Sequence, residues 1–187
     1  FIVDEAFIDF TYYNSLLECS PLPDNIIVIR SLTKIFTVPG LRIGYAVLSK
    51  QLASKLRIEL QNWPLNAVAE TFAIRVFQDP AIPCFIESTK HFMYEARNRI
   101  IAGLSSCYEL SKSEANFFLL RPLNSNTQQG LQLRNFCLAH GIALRNCDNF
   151  PGLDASWSRI AVRNPKETEQ IIKRLRDFID SIKQKGC

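Results

Sequence analysis

Histidine and paired cysteines are scarce in this chain. Its 187 residues include only two histidines, His91 and His140, and neither has a metal-ligand partner nearby in the sequence. The six cysteines form no C-x-x-C pair, so no metal site is expected. Scattered cysteines in a chain of this length are usually small buried side chains or reduced surface thiols rather than a disulfide framework. They are Cys19, Cys84, Cys107, Cys137, Cys147 and Cys187.

Long apolar runs and a strong charge of one sign are also missing. No apolar stretch approaches the length of a bilayer span, and the opening residues lack the charged flank and cleavage site of a secretion signal. We therefore expect no membrane insertion, and the cytoplasm is the default location. The formal charge is +4, and the lysines and arginines are interspersed with acids, so no nucleic-acid partner is expected.

The composition does provide a core. Hydrophobic residues make up 47% of the chain and charged residues 21%, which is typical of a folded globular protein. The first residue is Phe1 rather than methionine, and Phe1–Val3 has the pattern of a strand interior. We therefore expect the natural N-terminus to lie upstream.

Three short apolar runs in the first fifty residues predict strands, at Phe1–Val3, Asn25–Ile29 and Leu41–Leu48. The first two runs have no polar alternation, which is typical of a sheet covered by helices on both faces. We therefore predict an α/β fold with a mainly parallel sheet. A turn-rich stretch, Ser20–Asp24, ends the connection between the first two strands.

Helical spacing begins at Gln51 and is expected to end at Trp63, and a second helix is expected over Ala67–Phe77. A long helix from Ile82 to Leu104, with Gly103 as its C-cap, is the expected connector between two domains. The predicted division is 1–81 for the C-terminal part of a large domain, 82–104 for the connecting helix and 105–187 for a small α+β domain. In the small domain the patterns predict strands at 116–120, 142–144 and 159–162, a helix at 128–140, and a final helix with Asn164 as N-cap and Pro165 in its first turn.

Reactive side chains follow two of the predicted strands. Asp4 and Glu5 come directly after the first strand, and the second is followed by hydroxyls and the amine of Lys34. Ligands of open α/β sheets bind outside the carboxyl ends of the strands, so these groups can meet in one crevice. Taken singly, each has an ordinary explanation. An acid after a strand usually caps a helix or meets solvent, and a lysine there is usually a surface charge.

Taken together, the residues resemble the class I and II aminotransferase superfamily. The run Ser31–Tyr45 contains S-x-x-K followed by the spacing G-x-R-x-G-Y, and Val3–Phe7 resembles the motif D-E-A-[YF] at a similar distance ahead of the lysine. The resemblance covers the whole chain, but only the C-terminal part of a complete family member. It implies the aspartate-aminotransferase fold and pyridoxal 5'-phosphate (PLP) as the cofactor.

The resemblance also implies roles for individual residues. Lys34 would condense with the aldehyde of the cofactor and move protons at the substrate α-carbon. Asp4 would keep the pyridine nitrogen protonated, and Ser31 and Arg42 would bind the cofactor phosphate. Phe7 would line the cofactor site in place of a tyrosine that many members use to hydrogen-bond the phenolic oxygen, a bond that phenylalanine cannot make.

Two arginines of the second half are the expected substrate ligands. Within the resemblance, Arg159 corresponds to the arginine that binds the substrate α-carboxylate, and Arg145 to an additional arginine that binds the phosphate of phosphorylated amino acids or amines. For Arg163, a surface charge at the end of its strand is a commoner explanation than a substrate ligand.

Several segments resemble the threonine-phosphate decarboxylases of cobalamin synthesis more than the histidinol-phosphate aminotransferases. The implied reaction is decarboxylation of L-threonine O-3-phosphate to (R)-1-amino-2-propanol O-2-phosphate. One alternative is a histidinol-phosphate-type aminotransferase that uses 2-oxoglutarate, and another is a folded but inactive module. The full-length protein is expected to be a homodimer. The segments are Asp4–Phe10, Ser31–Tyr45, Trp63–Asn66 and Asn149–Leu153 ahead of Arg159.

Overall fold

The computed structural model describes residues 1–19 and 21–185. Ser20, the first residue of the expected loop, and Cys187 lie outside this part of the chain. The chain forms two compact units, Phe1–His91 and Phe92–Cys187, so that the boundary falls inside the long helix. The division at 81 and 105 stays a prediction. None of the described helices combines the length and the apolar composition needed to cross a bilayer.

The first unit is built on a three-stranded mixed sheet. Its order follows the chain, with β1 parallel to β2 and β3 antiparallel to β2. The α/β fold class is confirmed. Ile2 and Ile29 are 70% and 40% exposed, because the described helices leave these side chains uncovered. The strands are β1 (Ile2–Asp4), β2 (Ile27–Ser31) and β3 (Gly44–Val47).

Four helices accompany this sheet. Side-chain caps start two of them, since Ser49 accepts from the backbone N–H of Leu52 and Asn66 from that of Ala69. The first predicted helix ends earlier than expected, at Glu59, because Leu60 turns to an extended conformation. Short 3₁₀ turns fill the long connections. The helices are α1 (Leu32–Ile35), α2 (Lys50–Glu59), α3 (Ala67–Gln78) and the start of α4 (Ile82–Leu104); the 3₁₀ turns are Ile8–Phe10, Leu16–Glu18 and Pro39–Leu41.

The second unit contains an antiparallel four-stranded sheet in the order β4-β5-β7-β6. The first of these strands has no clear sequence signal, and the strand expected at 142–144 forms instead at 145–146, so that prediction is wrong in position. Gly141 ends the preceding helical segment with a φ of 76°, as its place after the helix predicted. The elements are β4 (Tyr108–Leu110), β5 (Phe117–Pro122), α5 (Thr127–Ala139), β6 (Arg145–Asn146), β7 (Ser158–Ala161) and α6 (Pro165–Lys185).

The core of this unit lies on one face of the sheet. Strand β5 alternates strictly, so that Phe118 and Leu120 are buried while Phe117 and Leu119 lie on the other face. Helices pack on the buried face through a shared set of apolar side chains. These include Ile100, Leu104, Leu133, Cys137, Leu175, Phe178 and Ile179.

Gly103 does not cap α4, so that expectation is wrong. The helix continues to Leu104, and a Cβ atom on Gly103 would lie 2.8 Å from Cγ2 of Ile172 in α6. The absence of a side chain therefore allows two helices of the core to approach closely. The final helix begins as predicted, because Asn164 Oδ1 accepts a 2.9 Å hydrogen bond from the backbone N–H of Glu167.

Gly130 permits a second close approach, between α5 and the loop before β7. A Cβ atom there would overlap the carbonyl oxygen of Ala155 and lie 2.6 Å from the Cα atom of Ser156. Arg134, one helical turn later, donates to the same carbonyl at 2.8 Å and thereby fixes the loop against the helix. The loop backbone cannot retreat without breaking this bond.

Gly130→Ala is expected to lower the free energy of unfolding by more than about 2 kcal/mol, as overpacking against backbone does. Alanine gains about 1 kcal/mol of helix propensity over glycine, and the clash outweighs that gain. Urea denaturation measures the change. Gly40→Ala is the control, because nothing lies within 4 Å of a Cβ atom on Gly40. Equal stability of the two variants would contradict the close approach.

Candidate active site

Asp4, Ser31 and Lys34 lie at the same edge of the first sheet. Asp4 is the last residue of β1, Ser31 is the last residue of β2, and the two strands are parallel. Lys34 follows in α1, the single helical turn that leaves β2. Nζ of Lys34 lies 5.6 Å from the centroid of the Phe7 ring, so the amine returns to the loop that follows Asp4.

Hydrogen bonds orient two of these groups locally. The hydroxyl of Ser31 lies 2.8 Å from that of Thr33, a buried residue for which the sequence had suggested no role. Oδ1 of Asp4 accepts from the backbone N–H of Ala6 at 2.9 Å. Both Asp4 and Lys34 remain exposed in the unit, so their charged atoms are accessible to a ligand.

The segment between Lys34 and β3 turns tightly. Thr37 and Arg42 both have left-handed backbones, with φ of 55° and 51°. Gly44 lies against β2 so closely that a Cβ atom would be 2.5 Å from the carbonyl oxygen of Arg30. Nη1 of Arg42 donates to the carbonyl of Pro39 at 3.2 Å, and over the described ranges no hydrogen bond joins Arg42 to Ser31.

Glu5, to which the sequence patterns assigned no individual role, is a buried carboxylate that links the loop after β1 to β2. Glu5 is 7% exposed and accepts from the hydroxyl of Ser15 at 2.6 Å and from the backbone N–H of Leu16 at 2.8 Å. Its Oε2 atom lies 3.3 Å from Nε of Arg30 in β2, a charge contact that lacks hydrogen-bond geometry. Nη1 of Arg30 also binds Oδ1 of Asp9 at 2.9 Å.

Tyr45 borders this charged cluster from β3, where it pairs with Arg30. Burial raises the pKa of Tyr45, the guanidinium of Arg30 opposes the shift, and the carboxylates of Asp9 and Glu5 add to it. The phenol is therefore a neutral donor at physiological pH. The G-x-R-x-G-Y pattern had marked this position without indicating its partners.

Arg145 and Arg159 meet in the second unit. They are direct partners in the antiparallel pair of β6 and β7. Each guanidinium lies over an aromatic ring: Cζ of Arg159 is 5.1 Å from the centroid of Phe117, and Cζ of Arg145 is 5.6 Å from that of Phe150. Two like charges placed opposite each other on a sheet repel, so the arrangement costs stability unless an anion lies between them.

These two differ from the other arginines among residues 92–185. Each of the other seven reaches a carboxylate or a backbone carbonyl, whereas no described residue gives Arg145 or Arg159 such a partner. The pair therefore keeps its full positive charge. The seven partnered residues are Arg97, Arg99, Arg121, Arg134, Arg163, Arg174 and Arg176.

The described cysteines are free thiols, of which Cys137 and Cys147 are buried. Burial raises the pKa of Cys147, while the guanidiniums of Arg159, Arg145 and Arg134 oppose that shift. The thiol therefore stays protonated beside the arginine pair and adds no negative charge to it.

Comparison with known proteins gives the family. The sequence model of the aminotransferase class I and II family matches residues 1–175, so the chain belongs to this family, whose cofactor is PLP. The chain is 34% identical to the threonine-phosphate decarboxylase of Salmonella typhimurium over 97% of its own length and 49% of that protein. It therefore spans about half the length of this curated relative.

Two solved structures share the fold. The histidinol-phosphate aminotransferase of Clostridium acetobutylicum superposes with a TM-score of 0.85 and 31% identity, covering 96% of this chain and 54% of that one. The L-threonine-O-3-phosphate decarboxylase of Porphyromonas gingivalis gives 0.82 and 26%, covering 96% and 55%. Both known reactions are thus represented among similar proteins.

Glu5→Gln is expected to lower the free energy of unfolding by about 2 kcal/mol or more, because it leaves a buried guanidinium with one carboxylate instead of two. Urea denaturation measures the loss. Glu87→Gln is the matched control in the same unit, since Glu87 is 65% exposed and lies 3.8 Å from Lys90, and exposed pairs contribute little. A Glu5 variant as stable as the Glu87 variant would show that the cluster does not hold the loop.

Proposed function

We propose that this chain carries the lysine of a PLP enzyme that decarboxylates L-threonine O-3-phosphate. The observation that carries the proposal is the shared edge of β1 and β2, where Asp4 and Lys34 lie at the ends of parallel strands and the Phe7 ring adjoins the amine. An acid, an amine and an aromatic ring at one edge fit a ring cofactor that is both cationic and covalently held.

The residues of the first unit fit the cofactor chemically. Among described residues Lys34 has no acidic partner, so its amine is available to form a carbon–nitrogen bond. Asp4 is held on one oxygen by the Ala6 N–H and can keep a proton on a pyridine nitrogen with the other. Ser31 and Arg42 offer a hydroxyl and a guanidinium for a phosphate.

When bound, PLP withdraws electrons from the bonds of the substrate α-carbon. Lys34 would hold the cofactor and later deliver a proton to that carbon. Asp4 would keep the ring nitrogen cationic throughout. Phe7 would bound the site by van der Waals contact alone, since its ring has no hydroxyl to donate.

The second unit supplies groups suited to a doubly anionic substrate. Arg159 would bind the α-carboxylate through the planar fork of its guanidinium, and Arg145 would bind the substrate phosphate. The absence of acidic partners for both among the described residues supports these roles, because an internal carboxylate would compete with the substrate.

Similar proteins support two reactions. Resemblance to threonine-phosphate decarboxylases favours carbon dioxide release in cobalamin synthesis. Similarity to a histidinol-phosphate aminotransferase at 31% identity favours amino transfer to 2-oxoglutarate as the second candidate. Because the chain spans about half of such proteins, a module inactive by itself is the third. We further propose a cytoplasmic homodimer for the whole protein.

Treatment with PLP and then borohydride is expected to leave a pyridoxyl group on Lys34, found by mass spectrometry of the digested protein. Lys34→Ala should abolish this label, whereas Lys50→Ala should retain it, because Lys50 lies at the start of α2, away from the strand edge. Labelling of surface lysines with no preference for Lys34 would count against a competent cofactor site.

The PLP-loaded protein, not treated with borohydride, is then supplied with L-threonine O-3-phosphate. We expect it to release carbon dioxide without a keto acid. Glutamate formation from 2-oxoglutarate with histidinol phosphate would instead establish the aminotransferase. The absence of both reactions would support the inactive module.

Arg159→Leu and Arg145→Leu are each expected to weaken binding of L-threonine O-3-phosphate by about a hundredfold, since a charge-assisted hydrogen-bond pair is worth about 2–3 kcal/mol. Calorimetric titration measures the dissociation constants. With unphosphorylated threonine, only Arg159→Leu should matter. Arg163→Leu is the control, because Arg163 is exposed and paired with Glu167. Equal effects of all three substitutions would contradict the assigned roles.

A further inference from the structure

One face of the second sheet carries three arginines, each lying over an aromatic ring. Arg121 lies 4.8 Å from the Trp157 centroid, Arg159 lies 5.1 Å from Phe117 and Arg145 lies 5.6 Å from Phe150. All three distances are within the range of cation–π attraction. Only Arg121 also has a carboxylate, that of Glu109 at 2.6 Å. Its charge is neutralised, whereas the other two charges are not.

The rings under Arg159 and Arg145 are not part of the hydrophobic core. Phe117 is on the face of β5 opposite the buried Phe118 and is diagonal to Arg159, because Leu119 is the direct partner of Arg159. Phe150 is 38% exposed in the loop after β6, where its N–H donates to the Cys147 carbonyl at 3.0 Å. Neither ring belongs to the set of apolar side chains that pack on the buried face of the sheet.

An aromatic face and a carboxylate hold a guanidinium in different ways. The carboxylate neutralises the charge and occupies the N–H donors, while the ring attracts the planar face and leaves the donors at the edge free. A stacked arginine thus keeps its orientation and still binds an anion in its plane. Without such a surface, repulsion between two opposed arginines would swing them apart into solvent.

We infer that Phe117 and Phe150 are positioning residues that hold the guanidiniums of Arg159 and Arg145 side by side as an anion receptor. The inference rests on the proposed function for the identity of the anion, but the positioning itself is a property of the ligand-free chain. The two rings lie under different arginines, so the two contacts are separable by mutation.

The test is nuclear magnetic resonance of the arginine Nε–Hε groups in the 187-residue chain without ligand. In the unmodified chain, Arg159 and Arg145 should have high order parameters and ring-current shifts, unlike the exposed Arg57 of α2. Phe117→Leu should lower the order parameter of Arg159 to that of Arg57 and remove its ring-current shift, leaving Arg145 unchanged. Phe150→Leu should do the reverse.

Phe117→Tyr keeps the aromatic ring, so Arg159 should retain its high order parameter and its ring-current shift. If Phe117→Leu acted only by loosening the packing in general, ring retention would not have this specific effect. Unchanged order parameters in both leucine variants would overturn the inference, as would simultaneous loosening of both arginines in either variant. The carbon dioxide assay separates this outcome from the proposed function. If the chain releases carbon dioxide but the leucine variants do not loosen their own arginines selectively, only the positioning role is wrong. If the arginines loosen selectively but no carbon dioxide is released, only the proposed reaction is wrong.

Discussion

The carboxylate of Glu5 is the contact on which the arrangement of the first unit depends. It binds Arg30 of β2 and two groups of the loop that follows β1, so it fastens that loop to the neighbouring strand. Asp4 and Phe7, on either side of Glu5 in sequence, are thereby held where Lys34 emerges. A buried ion pair is costly to desolvate and is a weak source of stability. Its value here is geometric, because the pair determines the path of the chain beside the amine.

Arg30 in the first unit and the Arg145–Arg159 pair in the second hold their positive charges in opposite ways. Arg30 meets two carboxylates and is largely buried, with 14% of its side chain exposed, so its charge is used up within the fold. Arg145 and Arg159 meet only aromatic faces, and the sheet register places them opposite each other. The first arrangement fixes a loop against a strand, whereas the second places two like charges opposite each other, a repulsion that a bound anion would relieve. The presence or absence of a carboxylate partner, more than exposure, therefore separates Arg30 from the two arginines that we propose as anion ligands.

Local patterns predicted much of the fold and the edge that holds Asp4 and Lys34. The cap at Asn164 and the long run of α4 depend on neighbours in sequence, and the carboxyl-end rule needs only the strand positions. Register and close packing could not be predicted in this way. Three contacts join residues that are 25 to 69 positions apart in the sequence. They are the ion pair of Glu5 with Arg30, the close approach of Gly103 to Ile172, and the stacking of Arg159 on Phe117. The exposure of Ile2 depends on which elements cover the sheet, and apolar sequence alone carries no such information.

The arginine pair also bears on the kind of substrate that the proposed function requires. L-threonine O-3-phosphate carries a carboxylate and a phosphate in one molecule, so it would neutralise both guanidiniums at once and remove their mutual repulsion. Histidinol phosphate, with a phosphate and no carboxylate, would neutralise one guanidinium, whereas 2-oxoglutarate and glutamate, the other substrates of amino transfer, carry two carboxylates and would neutralise both. Two opposed arginines without internal acids therefore favour a substrate that satisfies both together. Both proposed reactions include such a substrate, so the pair indicates the class of substrate, a double anion, that the proposed function requires.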